Sequence, residues 1–66
     1  MKSQKFYERA LRKYFDANLL RYAKTAEWSV DPAPNQWKFD IPELGIEVNL
    51  VCADDGTVKE TRTPLK

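Results

Sequence analysis

The residue pattern of this 66-residue chain predicts a small α+β domain, one N-terminal amphipathic helix packed on a three- to four-stranded antiparallel β-meander. Three observations predict it. Residues 4–24 hold no Gly or Pro and carry their apolar side chains at helical spacing. From Trp28 onward the apolar period changes to two. The extended runs are separated by short segments rich in Pro, Asp, Asn and Gly, and strands joined by short loops pair as neighbours.

The helix is expected over 4–24, opened by Ser3 as N-cap. Tyr7, Ala10, Leu11, Tyr14, Phe15, Asn18 and Tyr22 fall on one wide face, the stripe a helix buries on a core. Arg21 and Lys24 lie in the last turn, where cations complement the helix dipole. No Gly marks the stop, so the end falls between Ala23 and Glu27.

Trp28 and Val30 share one face of a first, short strand. Asp31-Pro32-Ala33-Pro34-Asn35 cannot continue it, because proline lacks the N–H a ladder needs. Trp37, Phe39 and Ile41 alternate with Lys38 and Asp40, and Pro42-Glu43-Leu44-Gly45 is the next turn. Ile46, Val48, Leu50 and Cys52 form the most apolar strand face. Asp54-Asp55-Gly56 reads as a hairpin turn with Gly available for positive φ. Thr57 to Arg62 is a polar last strand, and residues 63–66 read as a frayed tail. The inner sheet face is expected to hold Trp28, Val30, Trp37, Phe39, Ile41, Ile46, Val48, Leu50, Cys52 and Val58, with Tyr14, Trp37 and Leu50 meeting between helix and sheet. Ser29, Lys38, Asp40, Glu47, Asn49 and Lys59 belong to the outer face.

A chain of this length, read as a single domain over 1–66, buries only about 60% of its unfolded surface. Its eight aromatic residues suit so thin a core, since each supplies a large buried area. Trp28, Trp37 and Phe39 could also form a base-stacking platform, but the apolar helix face has to cover something, and they are read as its floor. One cysteine excludes an intramolecular disulfide, and no segment reads as a signal peptide or a membrane span. The expected location is the cytoplasm.

Catalysis is not expected. The chain has no histidine, which removes the commonest general base and zinc ligand. Cys52 alternates with core residues and reads as a buried thiol. Asp54 and Asp55 lack the further oxygen ligands of a calcium loop. Gly45 and Gly56 are the only glycines, too few for a phosphate-binding loop. No cofactor, metal or small-molecule substrate is expected.

Charge is distributed unevenly. Residues 1–27 carry seven cations against three acids, and residues 28–66 four against seven. Lys2, Lys5, Arg9, Arg12 and Lys13 occupy about 100° of the outer helix face. Glu8 and Asp16 border or interrupt this stripe, and Glu8–Arg12 and Arg12–Asp16 are i,i+4 pairs. Phe6, Lys13 and Leu20, spaced seven apart, run along it. A basic strip carrying a Phe and a Leu suits a protein contact better than a phosphate contact. The expected function is therefore a non-catalytic protein–protein interaction module, a small regulator, inhibitor or accessory subunit. The expected partner surface is Phe6, Arg9, Arg12, Lys13, Asp16 and Leu20, with self-association included. The alternative is a nucleic-acid-binding domain using the basic stripe on phosphates, against which stands a sequence pI of about 7.8.

Overall fold

The computed structural model describes residues 2–65. Helix α1 (Gln4–Asn18) packs on one face of a four-stranded sheet, β1 (Glu27–Trp28), β2 (Gln36–Ile41), β3 (Ile46–Cys52) and β4 (Val58–Pro64). The strands lie in chain order and every pair is antiparallel, so the sheet is a simple meander.

Ser3 caps the helix as its sequence position suggests, its Oγ accepting from the Phe6 N–H at 3.3 Å. The helix ends six residues earlier than expected, at Asn18. Asn18 donates from its side-chain amide to the Tyr14 carbonyl, and Leu19 (φ −131°) closes the last turn on Phe15 at 2.7 Å. A 3₁₀ turn, Leu20–Tyr22, follows. Leu19, next in the i,i+4 row of Tyr7, Leu11 and Phe15, is fully buried, and Leu20 is 58% exposed.

The core consists of Tyr7, Leu11, Phe15 and Leu19 from the helix side and Phe39, Ile41, Val48, Leu50 and Cys52 from the sheet. The register pairs Trp37 with Leu50, Phe39 with Val48 and Ile41 with Ile46, so the inner faces of β2 and β3 are apolar row by row. Tyr14 and Trp37 both pack against the core cluster that contains Leu50. Tyr14 reaches β4 and Trp37 lies on β2 under Arg12, so they bracket the buried Leu50 from opposite flanks.

The first strand is shorter than expected. β1 holds only Glu27 and Trp28, and Val30, expected on the inner face, is 91% exposed. The Ser29 N–H still bonds Lys38, but Asp31 and Pro32 pull the chain off the sheet before Val30 can fold under it. Trp28 remains half exposed while stacking on Phe15, Phe39 and Trp37 with ring centroids 4.5–5.5 Å apart.

The last strand is longer than expected. Thr63 and Pro64, read as tail, pair with Glu47 and Ile46, and the Leu65 N–H bonds the Gly45 carbonyl at 2.8 Å. Lys66 lies outside the described residues. Proline is tolerated here because of the ladder's phase. Thr57 and Leu65 both bond β3 or its flanks, so the odd-numbered residues of β4 face β3 and Pro64 falls where no N–H is needed. The β3–β4 hairpin turns at Ala53–Thr57, with Gly56 at φ 90° and the Asp55 carboxylate accepting from the Thr57 N–H at 2.9 Å.

Candidate partner-binding site

A helix laid on a sheet leaves a trough on each flank, and the two flanks here differ. The trough between α1 and β4 holds a groove of about 600 Å³. Phe6, Ala10, Tyr14 and Val58 form its apolar floor, and Arg9 and Lys13 stand on its helix side. On the other flank Arg12 lies over Trp37, its guanidinium carbon 6.0 Å from the ring centroid, and Lys5, Glu8 and Arg9 surround a shallower depression of about 490 Å³.

The six residues singled out from the sequence therefore divide. Phe6, Arg9 and Lys13 meet at the α1–β4 groove. Phe6 is half-buried, its ring edge-on to Tyr7 at 5.7 Å and beneath the Lys2 ammonium at 5.6 Å. Arg12 and Asp16 belong to the other flank and pair loosely at 4.0 Å, an exposed contact worth little. Leu20 stands apart beyond the helix end. Arg9 touches both depressions and marks the crest between them.

Below the groove lies a polar cluster that sequence reasoning did not single out. Glu60 is on the inner face of β4, opposite Leu50, and Arg62 is opposite Val48. The Tyr14 hydroxyl donates to Glu60 Oε1 at 2.6 Å, and Arg62 Nε donates to Oε2. Burial pushes the Glu60 carboxyl up, but the bonds from Tyr14 and Arg62 and the guanidinium charge outweigh it and hold the group below the usual glutamate range. The same bond, helped by burial, raises the Tyr14 phenol. The signal was present in the alternation, since Val58, Glu60 and Arg62 share one strand face. At the far end the Tyr7 hydroxyl donates to Asp54 at 2.6 Å and accepts from the Lys2 N–H at 3.1 Å, and the bond to Asp54 raises its pKa.

These shifts move the Glu60 carboxyl down and the Tyr14 and Tyr7 phenols up, each further from neutral pH. Cys52 is fully buried with its thiol pushed up by burial, so it stays protonated and shielded. Among the described residues no cluster of three or more carboxylate or thiol groups is placed to hold a metal ion, and no helix is long and apolar enough to cross a membrane. The groove offers apolar surface and two cations. Comparison with protein-family models, with curated proteins and with solved structures finds no significant match to the chain.

Proposed function

We propose that this protein is a non-catalytic protein-interaction module that receives its partner along the α1–β4 flank. The observation that carries this reading is the groove, an apolar floor of Phe6, Ala10, Tyr14 and Val58 beside Arg9 and Lys13. Such a site suits an apolar side chain flanked by carboxylates, because the cations steer and orient while the floor supplies the buried area. The reading places the protein in the cytoplasm, which suits a lone, free cysteine held in the core. The alternative, phosphate binding along Lys2, Lys5, Arg9, Arg12 and Lys13, draws less support. Lys2 leans on Phe6 and Arg12 on Trp37 and Asp16, so the cations diverge instead of lining one track.

The test uses Lys13→Glu with Ala17→Glu, both at exposed positions lining the groove. The double variant keeps the parent melting temperature within a few degrees, as surface changes do, and loses the parent's protein partner in a pull-down. Undiminished capture by this variant refutes the groove as the contact surface. Retention of the parent on heparin to high salt, lost with Arg9→Ala and Arg12→Ala, favours phosphate binding instead.

A further inference from the structure

The free edge of β4 is built to pair with itself, and we infer that the partner on this flank is a second copy of the chain. The inference rests on the binding reading above only in placing the contact on the α1–β4 flank; the register argument stands on the strand alone. β4 ends the sheet order, and its odd-numbered residues are turned to β3, so Val58, Glu60 and Arg62 direct their N–H and C=O groups outward. Pro64, in the same phase, offers a carbonyl. A row of unpaired backbone groups is a template for another strand unless something blocks it.

Charged side chains are the usual block, and this edge carries them. Their order is what matters. Glu60 and Arg62 stand on either side of Thr61 on one strand face. Two copies related by a twofold axis at Thr61 run antiparallel and set Glu60 opposite Arg62 of the second copy, twice. The same register sets Val58 opposite Pro64, whose missing N–H then costs one bond at each end, leaving about six backbone hydrogen bonds between the copies. A shift to an axis at Glu60 opposes two glutamates, and a shift to Arg62 opposes two arginines. Opposite charges across a ladder stabilise and like charges destabilise, so the side chains select the Thr61 register. Arg62 is free to serve both copies, since its side chain is half exposed and its guanidinium has N–H donors beyond the Nε held by Glu60.

The joined sheet leaves β1 as its outer edge, which holds only two residues. The contact is isologous and closed, giving a dimer and not a filament.

Sedimentation and hydrogen exchange test this on the parent chain. A concentration-dependent dimer is expected, with the amides of Val58, Glu60 and Arg62 gaining protection as it forms. Arg62→Glu alone and Glu60→Arg alone each oppose like charges in the Thr61 register and weaken self-association about tenfold or more. Mixed together, these two variants oppose only unlike charges and form a heterodimer. Melting curves establish first that each variant is folded. A parent that stays monomeric at millimolar concentration overturns the inference, as does a dimer whose Val58, Glu60 and Arg62 amides exchange freely. Two variants that fail to combine on mixing overturn the register. A monomeric parent that still loses another protein partner through Lys13→Glu with Ala17→Glu refutes the dimer and leaves the groove reading standing.

Discussion

Leu19 and Leu20 are neighbours of identical chemistry at the end of α1 that lie in opposite environments, which makes them a sensitive test of the fold. Leu19 is fully buried among the core side chains, whereas Leu20 is 58% exposed. Leu19→Ala removes buried methyl groups and leaves a cavity, a change that costs about 2–5 kcal/mol. Leu20→Ala removes groups already mostly in water and stays within about 0.5 kcal/mol. A domain of this length has roughly 3–10 kcal/mol in all, and each kcal/mol moves the melting temperature by about 4–8 °C. Leu19→Ala therefore lowers the melting temperature by roughly 8–40 °C or unfolds the chain outright, while Leu20→Ala moves it by only a few degrees. Thermal melts followed by near-ultraviolet circular dichroism read both, because Trp28 and Trp37 lie at the core margin. Equal melting temperatures for the two variants would refute the burial of Leu19. A large loss with Leu20→Ala alone would show that Leu20, and not Leu19, is turned into the core.

Three further outcomes follow from the same packing. Tyr14→Phe removes the donor to Glu60 and should cost about 1.5–3 kcal/mol, the range for hydrogen bonds to charged groups, read by urea denaturation; a cost near zero would place Tyr14 in solvent. Because the folded Glu60 pKa is depressed, its contribution is complete above the usual glutamate pKa and is lost as pH falls through the lower, folded value. Stability should therefore be flat from pH 6 to 8, where no histidine titrates, and fall in acid, with a smaller acid loss in Glu60→Gln. Gly56→Ala places a Cβ at φ 90°, with Phe6 Cζ at an ordinary 3.6 Å, so its cost of about 1 kcal/mol comes from backbone strain and should appear as faster opening of the β3–β4 hairpin in amide exchange.

Most of the architecture was legible because period and punctuation agree. The helical stripe, the period-two runs and the Pro and Gly turns each name one element, and the meander follows from the short loops. The failures have specific causes. Leu19 was missed because a wheel places it just beyond the edge of the apolar face, although it continues the i,i+4 row of Tyr7, Leu11 and Phe15 that the core buries. Val30 was misplaced because alternation alone cannot show where a strand leaves its partner. Thr63 and Pro64 looked like tail because proline reads as a stop, and the ladder phase that excuses it depends on the register with β3. The candidate groove residues were half legible. A wheel groups Phe6 with Arg12, but the sheet beneath divides them, sending Phe6 toward Gly56 and Arg12 toward Trp37. Tyr14 and Glu60 lie 46 residues apart, and nothing local joins them.

Cys52 supplies the last prediction, because its reactivity reports directly on whether the thiol is a core group or a chemical one. It is fully buried at the end of β3, and burial raises its pKa, so the thiolate fraction at neutral pH is lower than for a free cysteine. The residue is held on both sides. Its N–H donates to the Asn35 carbonyl at 2.8 Å, its own carbonyl accepts from the Asn35 amide at 2.9 Å, and it pairs with Val58 across the hairpin. A disulfide reagent can reach the sulfur only when these contacts open. Labelling should thus be slower than for a free thiol by the opening equilibrium constant, about 100-fold or more if opening costs 3 kcal/mol. Asn35→Ala, which removes one tie without touching the apolar core, should speed labelling by about fivefold to tenfold at a net cost near 1 kcal/mol. Gly56→Ala, which strains the hairpin, should speed it by a similar factor. Leu20→Ala should leave the rate unchanged, since Leu20 lies outside the core and away from the Asn35 tie. Labelling of the parent at the free-thiol rate would refute the buried position and reopen Cys52 as a reactive group.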